Sequence, residues 1–411
     1  MAEVRPFAAY RPAEGLADKI AALPYDVYNR AEAREVVEGD DYTFLRIDRP
    51  ETQFSPDYDM YAPEVYDKAR EMLDKMIEEG SFVHENSSVY YIYELIMDGR
   101  HQTGIVAVSS IDDYQSGVIM KHENTRAEKE ADRINHVYTC NAQTGPIFLA
   151  YRQRSGVDEV VNRIKAGEAL YSFTSDDGIT HNVWVIDSAD DIEKIRSEFK
   201  ATDKIYIADG HHRAASAVKV GLRKREENPG YTGEEEFNFF LSVLFPDSEL
   251  KILPYNRVVK DTNGLSEEEF FAKLSEICDV TEENAAYQPD EKGVFGMYIS
   301  GKWYKLVMKK EFRNDDPVKG LDVSLLQDYI LGPILGIGDP RVDKRVDFVG
   351  GIRGLKELEK RSESDMKLAF SMYPTSIAEL FDVADNKMLM PPKSTWFEPK
   401  LRSGLFIHKL D

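Results

Sequence analysis

The stretch Asp203-Lys204-Ile205-Tyr206-Ile207-Ala208-Asp209-Gly210-His211-His212-Arg213-Ala214-Ala215-Ser216-Ala217 organises the chain. Ile205 to Ala208 is a short apolar run and predicts a buried strand. Ala214 to Gly221 is rich in small residues and predicts a helix. A strand that turns sharply into a helix leaves its turn residues at the helix N-terminus, where free N–H groups and the positive end of the dipole point outward. Gly210 permits a tight turn and close approach of a ligand. His211, His212 and Arg213 add donors and positive charge, and Asp209 can hold a metal ion or accept a proton. Asp-Gly by itself is a common turn, and a histidine pair can be a surface accident. The convergence of all five residues on one junction favours a phosphate-handling site. The Gly-rich run and Lys-Ser/Thr pair of a P-loop are missing, so that kind of nucleotide chemistry is not indicated.

The bulk numbers narrow the class. A length of 411 residues predicts two or three domains. Hydrophobic residues at 42% and aromatics at 11% fit a folded globular protein. Lys and Arg total 52 against 74 Asp and Glu, a net charge of −22, with no basic run to hide that field, which argues against nucleic acid. Only Cys140 and Cys278 occur, too few for a disulfide framework or a Cys-rich zinc site. Met1 to Tyr10 has no apolar h-region and no stretch reaches bilayer-spanning length, so a cytoplasmic protein with no membrane partner is expected.

Taken in order, Val4 to Pro12 reads as extended, and Leu23-Pro24-Tyr25-Asp26-Val27 as a Pro-led loop. Asp26 is either a site acid or the N-cap of a polar helix near Ala31 to Glu38. Val65, Ala69, Met72, Leu73 and Met76 form one apolar face of a helix from Pro63 to Glu79, stopped by Gly80. Val89 to Ile96 and Thr103 to Ser110 predict a hairpin through Asp98-Gly99, hence a mixed or antiparallel sheet. Lys121-His122-Glu123-Asn124-Thr125-Arg126 follows, with Lys129, Asp132, Arg133 and His136 beyond. Arg126, Lys129, Arg133 and His136 recur at helical steps and could make one phosphate-clamping face. The competing reading is a solvated face laced with Glu123, Glu128, Glu130 and Asp132 pairs. Val183 to Ile186 and Phe237 to Phe245 predict strands, and Ala189 to Phe199 a helix. Ser266 resembles an N-cap, and Val294 to Ile299 with Trp303 to Met308 another hairpin. Arg345 to Gly354 resembles a glycine-rich strand-to-helix turn. Lys393, Ser394 and Thr395 lie in a proline-rich tail block whose aromatics suggest docking, which would let them reach a ligand. The expected fold class is α+β, with mixed sheets and flanking helices. Its expected regions are an N-terminal α+β region (1–110), a core with the phosphate-binding motifs (111–260) and a C-terminal α+β region (261–411) whose tail docks on the core.

Four segments together resemble one bacterial family, catalogued as domain of unknown function 1015. They are Leu23 to Val27, Lys121 to Arg126 with Asp132-Arg133, Ile207 to Arg213, and Met390-Pro391-Pro392-Lys393-Ser394-Thr395. The Asp209 to Arg213 element is also similar to the motif of free-serine kinases in the ParB and sulfiredoxin superfamily. That resemblance implies a ParB/sulfiredoxin-like core around residues 203–221, in which the Asp-Gly-His segment binds phosphate and metal; the resemblance to the first family implies an association with serine biosynthesis.

The implied activity is a phosphotransferase that forms O-phospho-L-serine from free L-serine. Its donor would be ATP, ADP or pyrophosphate, with Mg²⁺ as cofactor. Asp209, His211, His212 and Glu123 are the catalytic candidates, and Asp209 the metal ligand. Gly210, Arg213, Lys121, His122, Arg126, Arg133, Asp26, Lys393, Ser394 and Thr395 are the binding candidates. A phosphoserine phosphatase and a nucleotide-binding regulator of the ParB-like kind are the alternatives. A zinc hydrolase ranks below them, because His211 and His212 are adjacent and would not both face one ion from a helix. A homodimer is compatible with this reading.

Overall fold

A computed structural model describes residues 1–411, and the chain has a mixed α+β architecture with 13 α-helices. It divides into two units, one of Met1–Leu250 with Pro399–Asp411 and one of Lys251–Glu398. The sequence reading set its boundaries at 110 and 260 instead.

The first unit is built on a nine-stranded sheet. Its spatial order is Ile119–Met120, Ile205–Asp209, Ile147–Tyr151, Phe239–Pro246, Arg100–Ser110, Tyr90–Met97, Thr180–Ile186 and Tyr171–Thr174, with Val4–Arg5 beside Arg100–Ser110. The hairpin between Tyr90–Met97 and Arg100–Ser110 turns on Asp98 (φ 53°) and Gly99 (φ 75°), the positive dihedrals a two-residue turn needs to match strand twist. Two pairings are parallel: Ile205–Asp209 with Ile119–Met120, and Phe239–Pro246 with Ile147–Tyr151. The rest are antiparallel, as the hairpin predicted.

Side chains alternate across the sheet, so one face presents Ile92, Ile105, Ala107, Leu149, Ile205, Ile207 and Leu244. Ala214, Ala217 and Val218 pack into that same cluster from the helix His211–Glu227. They fall at i, i+3 and i+4, and their small size lets the helix backbone approach the sheet. Each larger apolar side chain buried here contributes roughly 1.5–3 kcal/mol. A second cluster gathers Phe44, Leu45, Ile47, Ala69, Leu73, Ala142 and Ile407, joining the helix Pro63–Glu78 to the chain's end.

The second unit carries a six-stranded, wholly antiparallel sheet in the order Cys278–Glu283, Lys302–Met308, Val294–Ile299, Leu368–Ser371, Tyr255–Val259 and Val346–Gly350. Ser266 caps the helix Glu267–Ile277 in a reciprocal box with Glu269, as its sequence predicted. No helix is long and apolar enough to cross a membrane.

Candidate active site at the Asp209 to Arg213 turn

The strand Ile205–Asp209 ends in a register shift between Ile207 and Asp209 against its antiparallel neighbour. A bulge bends a strand and re-aims its last side chain. Gly210 then takes φ 91°, a left-handed conformation that a residue with a Cβ resists. The helix begins at His211 with no side-chain cap on its first turn, so the histidine pair and Arg213 occupy the helix start.

Parallel register brings the second motif to the same place. Ile119 pairs with Ile205 and Met120 with Tyr206. Lys121, His122 and Glu123 therefore leave the sheet at the same end as Ala208, Asp209 and Gly210. Ligand sites of sheets with parallel strands favour that C-terminal end. The backbone N–H of Arg126 donates to His212 Nε2 at 2.9 Å and ties the loop to the helix. Lys121 is exposed, with Nζ 6.0 Å above the Tyr114 ring.

Asp209 Oδ2 lies 3.4 Å from Lys400 Nζ and 3.5 Å from Arg213 Nη2. Burial raises the Asp209 carboxyl, but Lys400, Arg213 and His211 outweigh it and hold the group well below the usual carboxylate range. Asp209 is thus a fixed anion and a weak proton acceptor. Arg213 also donates through Nη1 to the Pro146 carbonyl at 2.6 Å. His122 and His211 meet edge to face, with ring centroids 4.5 Å apart at 90°. Burial pushes His122 down to about 4, against the opposing pull of Asp209. Burial and then the neighbouring His122 hold His211 well below its ordinary value, with Asp209 again opposing. His212 is also lowered by burial, with Asp26 opposing, which places exposed Asp26 within electrostatic reach of the turn. At neutral pH these imidazoles are neutral.

Not every predicted residue joins this group. Asp26 caps no helix: Asn29 caps Arg30–Val37 in a box with Glu32. The expected basic face does not form. Arg126 is exposed at the N-cap of the helix Ala127–Cys140, and Lys129 is exposed, whereas Arg133 and His136 are buried. Arg133 Nε donates to Asp132 Oδ2 at 3.0 Å and Nη1 to the Asp48 carbonyl at 3.4 Å, with the guanidinium 4.1 Å over Tyr25. His136 Nε2 bonds the Ile47 carbonyl at 2.8 Å. The helix turns these two inward because the adjacent chain supplies acceptors there. Arg133 and Arg213 share the lining of a cavity of about 30 Å³ with Tyr25, Asp48, Thr144 and Ser403. That is room for a water or two, far short of a substrate.

Lys393, Ser394 and Thr395 lie in the second unit. Lys393 Nζ sits 5.4 Å over the Tyr255 ring, and Ser394 Oγ donates to the Pro391 carbonyl at 2.6 Å. Asn256 and Arg257 of the second unit are buried strand residues with backbone partners. Sequence reasoning missed Lys400. The signal for it was the apolar set Leu401, Leu405 and Phe406, all buried, which fixes the tail and carries its cation inward.

Residues 4–324 match the sequence model of a known family. The chain belongs to DUF1015, a family described as proteins of unknown function. No curated protein matches it significantly. Solved structures similar to this DUF1015 member include a free serine kinase in complex with AMP, at 15% identity and TM-score 0.35, covering 72% of this chain and 86% of that one. A conserved hypothetical protein from Pyrococcus furiosus aligns at 16% identity and TM-score 0.34, covering 73% and 93%. SbnI from Staphylococcus aureus, truncated at its C-terminus, aligns at 11% identity and TM-score 0.38, covering 71% and 82%.

Proposed function

We propose that this chain is a phosphotransferase that forms O-phospho-L-serine from free L-serine, with ATP, ADP or pyrophosphate as donor. One observation carries the phosphoryl chemistry. Two segments far apart in sequence converge at the ends of neighbouring parallel strands, around an uncapped helix start, with Arg213 and Lys400 about a fixed carboxylate and Lys121 on the converging loop. The acceptor is taken from the resemblance of the Asp209 to Arg213 motif to that of free-serine kinases.

In this reading the first-turn N–H groups and Lys121 hold phosphate oxygens, since phosphoryl transfer needs positioning and charge neutralisation above all. Asp209 keeps Arg213 and Lys400 in place. The serine hydroxyl oxygen attacks the terminal phosphorus, the bond from phosphorus to the leaving oxygen breaks, and the hydroxyl proton passes to a base. Asp209 is too acidic for that task, so Asp26, exposed and within electrostatic reach of the turn, is the candidate. His212, held by Arg126, positions the loop.

Mg²⁺ does not fit Asp209 as an all-protein site. That carboxylate already faces two cations, and no ring of oxygen ligands surrounds it. Mg²⁺ belongs to this reading as a companion of the donor's phosphates. No step here is routed through it.

Phosphorus NMR with L-serine and each donor in separate tubes tests the reading. A phosphoserine signal in one tube is the expected result and names the donor. Release of phosphate from O-phosphoserine without an acceptor would replace the kinase by a phosphatase. Nucleotide binding without turnover would replace it by a regulator.

A further inference from the structure

Eight histidines occur in the chain, and their partners separate them. His136 bonds the Ile47 carbonyl, His181 bonds Tyr93 and Ser175, His408 bonds Gln143 and Glu236, His101 bonds Glu94 and His212 accepts from Arg126. His84 stacks on Tyr10 at 4.3 Å. His122 and His211 stand apart. They are 1% and 7% exposed; no well-formed hydrogen bond reaches either ring nitrogen of His122 or Nε2 of His211, and the Ile207 backbone gives His122 only a weak interaction. An unsatisfied buried polar atom costs roughly 1–3 kcal/mol. Two such rings in contact are an expensive arrangement unless something fills the space between their nitrogens.

We propose that His122, Glu123 and His211 bind one divalent transition-metal ion of the Mn²⁺ to Zn²⁺ series, with coordination positions left open for a water or phosphate oxygen. One ligand atom from each residue lies within 4.8 Å of the others. A closed tetrahedral shell with bonds of about 2.05 Å has edges of roughly 3.3 Å, so modest side-chain rotations complete the site. The two rings are in contact, with centroids 4.5 Å apart. The bend at Glu123 lets its carboxylate turn to the same side as His122.

The donor set names the class of ion. Two imidazoles and one carboxylate suit borderline ions such as Zn²⁺, Co²⁺, Fe²⁺ and Mn²⁺. Mg²⁺ demands oxygen and holds most of its water. The pair also differs from the adjacent His211 and His212. The second imidazole comes across the parallel strand pair, from the loop after Ile119–Met120. The inference does not depend on serine being the acceptor, since the ion is held by protein side chains.

Cobalt titration of the metal-free, full-length protein tests it. The expected result is a visible d–d absorption band that saturates at one equivalent, is bleached by Zn²⁺ and survives a hundredfold excess of Mg²⁺. His122→Ala and His211→Ala should each weaken Co²⁺ binding by about 100-fold or more, while His84→Ala leaves it unchanged. Glu123→Gln, on the less buried loop, should weaken it at least about tenfold and serves if a histidine variant does not fold. Absence of a saturable band, binding that survives loss of either imidazole, or displacement by equimolar Mg²⁺ would overturn the assignment.

Discussion

Two strand-to-helix junctions in this chain read alike as sequence. Asp209-Gly210-His211 and Gly350-Gly351-Ile352-Arg353-Gly354 both end a strand, turn on glycine and lead into a helix. Their glycines serve different needs. A Cβ on Gly350 would sit 2.7 Å from the Trp396 ring, and one on Gly351 2.8 Å from the Pro254 carbonyl, so both are glycine for want of space. Gly210 is glycine because of its φ of 91°. Around Gly210 stand two cations, a fixed carboxylate and buried nitrogens without partners. No buried unpartnered side-chain atom belongs to Gly350 through Gly354. A glycine-rich junction therefore reports a tight backbone, and collected charge with unsatisfied polar atoms reports a site.

The sharpest way to break this contrast is Asp209→Asn. It should reduce phosphoserine formation by about 1000-fold, because Arg213 and Lys400 lose the charge that places them. About a third of the Asp209 side chain is exposed, so solvent screening limits the stability loss to about 1–2 kcal/mol, read by urea denaturation. Unaltered turnover would reduce the junction to a structural turn.

Arg133→Met comes next, and should act on stability. Its partners Asp132 and the Asp48 carbonyl are buried, so the variant should lose about 3–5 kcal/mol of unfolding free energy. Phosphate or donor affinity in the surviving folded protein should stay within about twofold. A large loss of affinity at unchanged stability would restore the phosphate clamp.

A third test compares two acids. Asp209 is held down by its cations, whereas burial pushes Asp322 in the second unit up to about 7, although the Gly293 N–H favours its ionised form. The folded value lies above the unfolded one, so the stabilising proton is fully in place below about pH 3.8 and is lost as pH rises through 7. Asp322→Asn mimics the protonated acid. It should raise stability by about 3 kcal/mol at pH 8 and change little at pH 3.5, followed by melting at both values. Equal effects at the two pH values would remove the titration as the cause.

The smallest effects come from the glycines themselves. Gly350→Ala should cost about 1–3 kcal/mol through overpacking against the Trp396 ring. Gly210→Ala should cost about 1 kcal/mol from its dihedral, and its new Cβ would press on the Arg213 guanidinium at 3.1 Å. Turnover should fall for Gly210→Ala and not for Gly350→Ala. Matching losses in both would erase the distinction between the junctions.

Much of the fold was legible because its signals are local. The Pro63–Glu78 helix, the Asp98-Gly99 and Ser300-Gly301 hairpins and the Ser266 cap each rest on a few neighbouring residues. The turn at Asp209 was legible for the same reason. The helix carrying Arg126, Lys129, Arg133 and His136 left a phosphate-clamping face and a solvated face both open, because periodicity gives a residue's side of a helix and not what waits there. Lys400 was missed because its partner lies 191 positions away.

The sequence by itself determined the strand, the left-handed glycine and the small-residue helix, since backbone dihedrals and short-range hydrogen bonds decide those. It also determined family membership, through motifs in order along the chain. Only the tertiary structure decided which charges are spent and which groups wait unpartnered. Parallel pairing of Ile119–Met120 with Ile205–Asp209 set His122 against His211, and the docked tail set Lys400 against Asp209. The worth of a buried charge or lone pair depends on what the fold brings within a few ångströms of it, and local sequence carries no record of that.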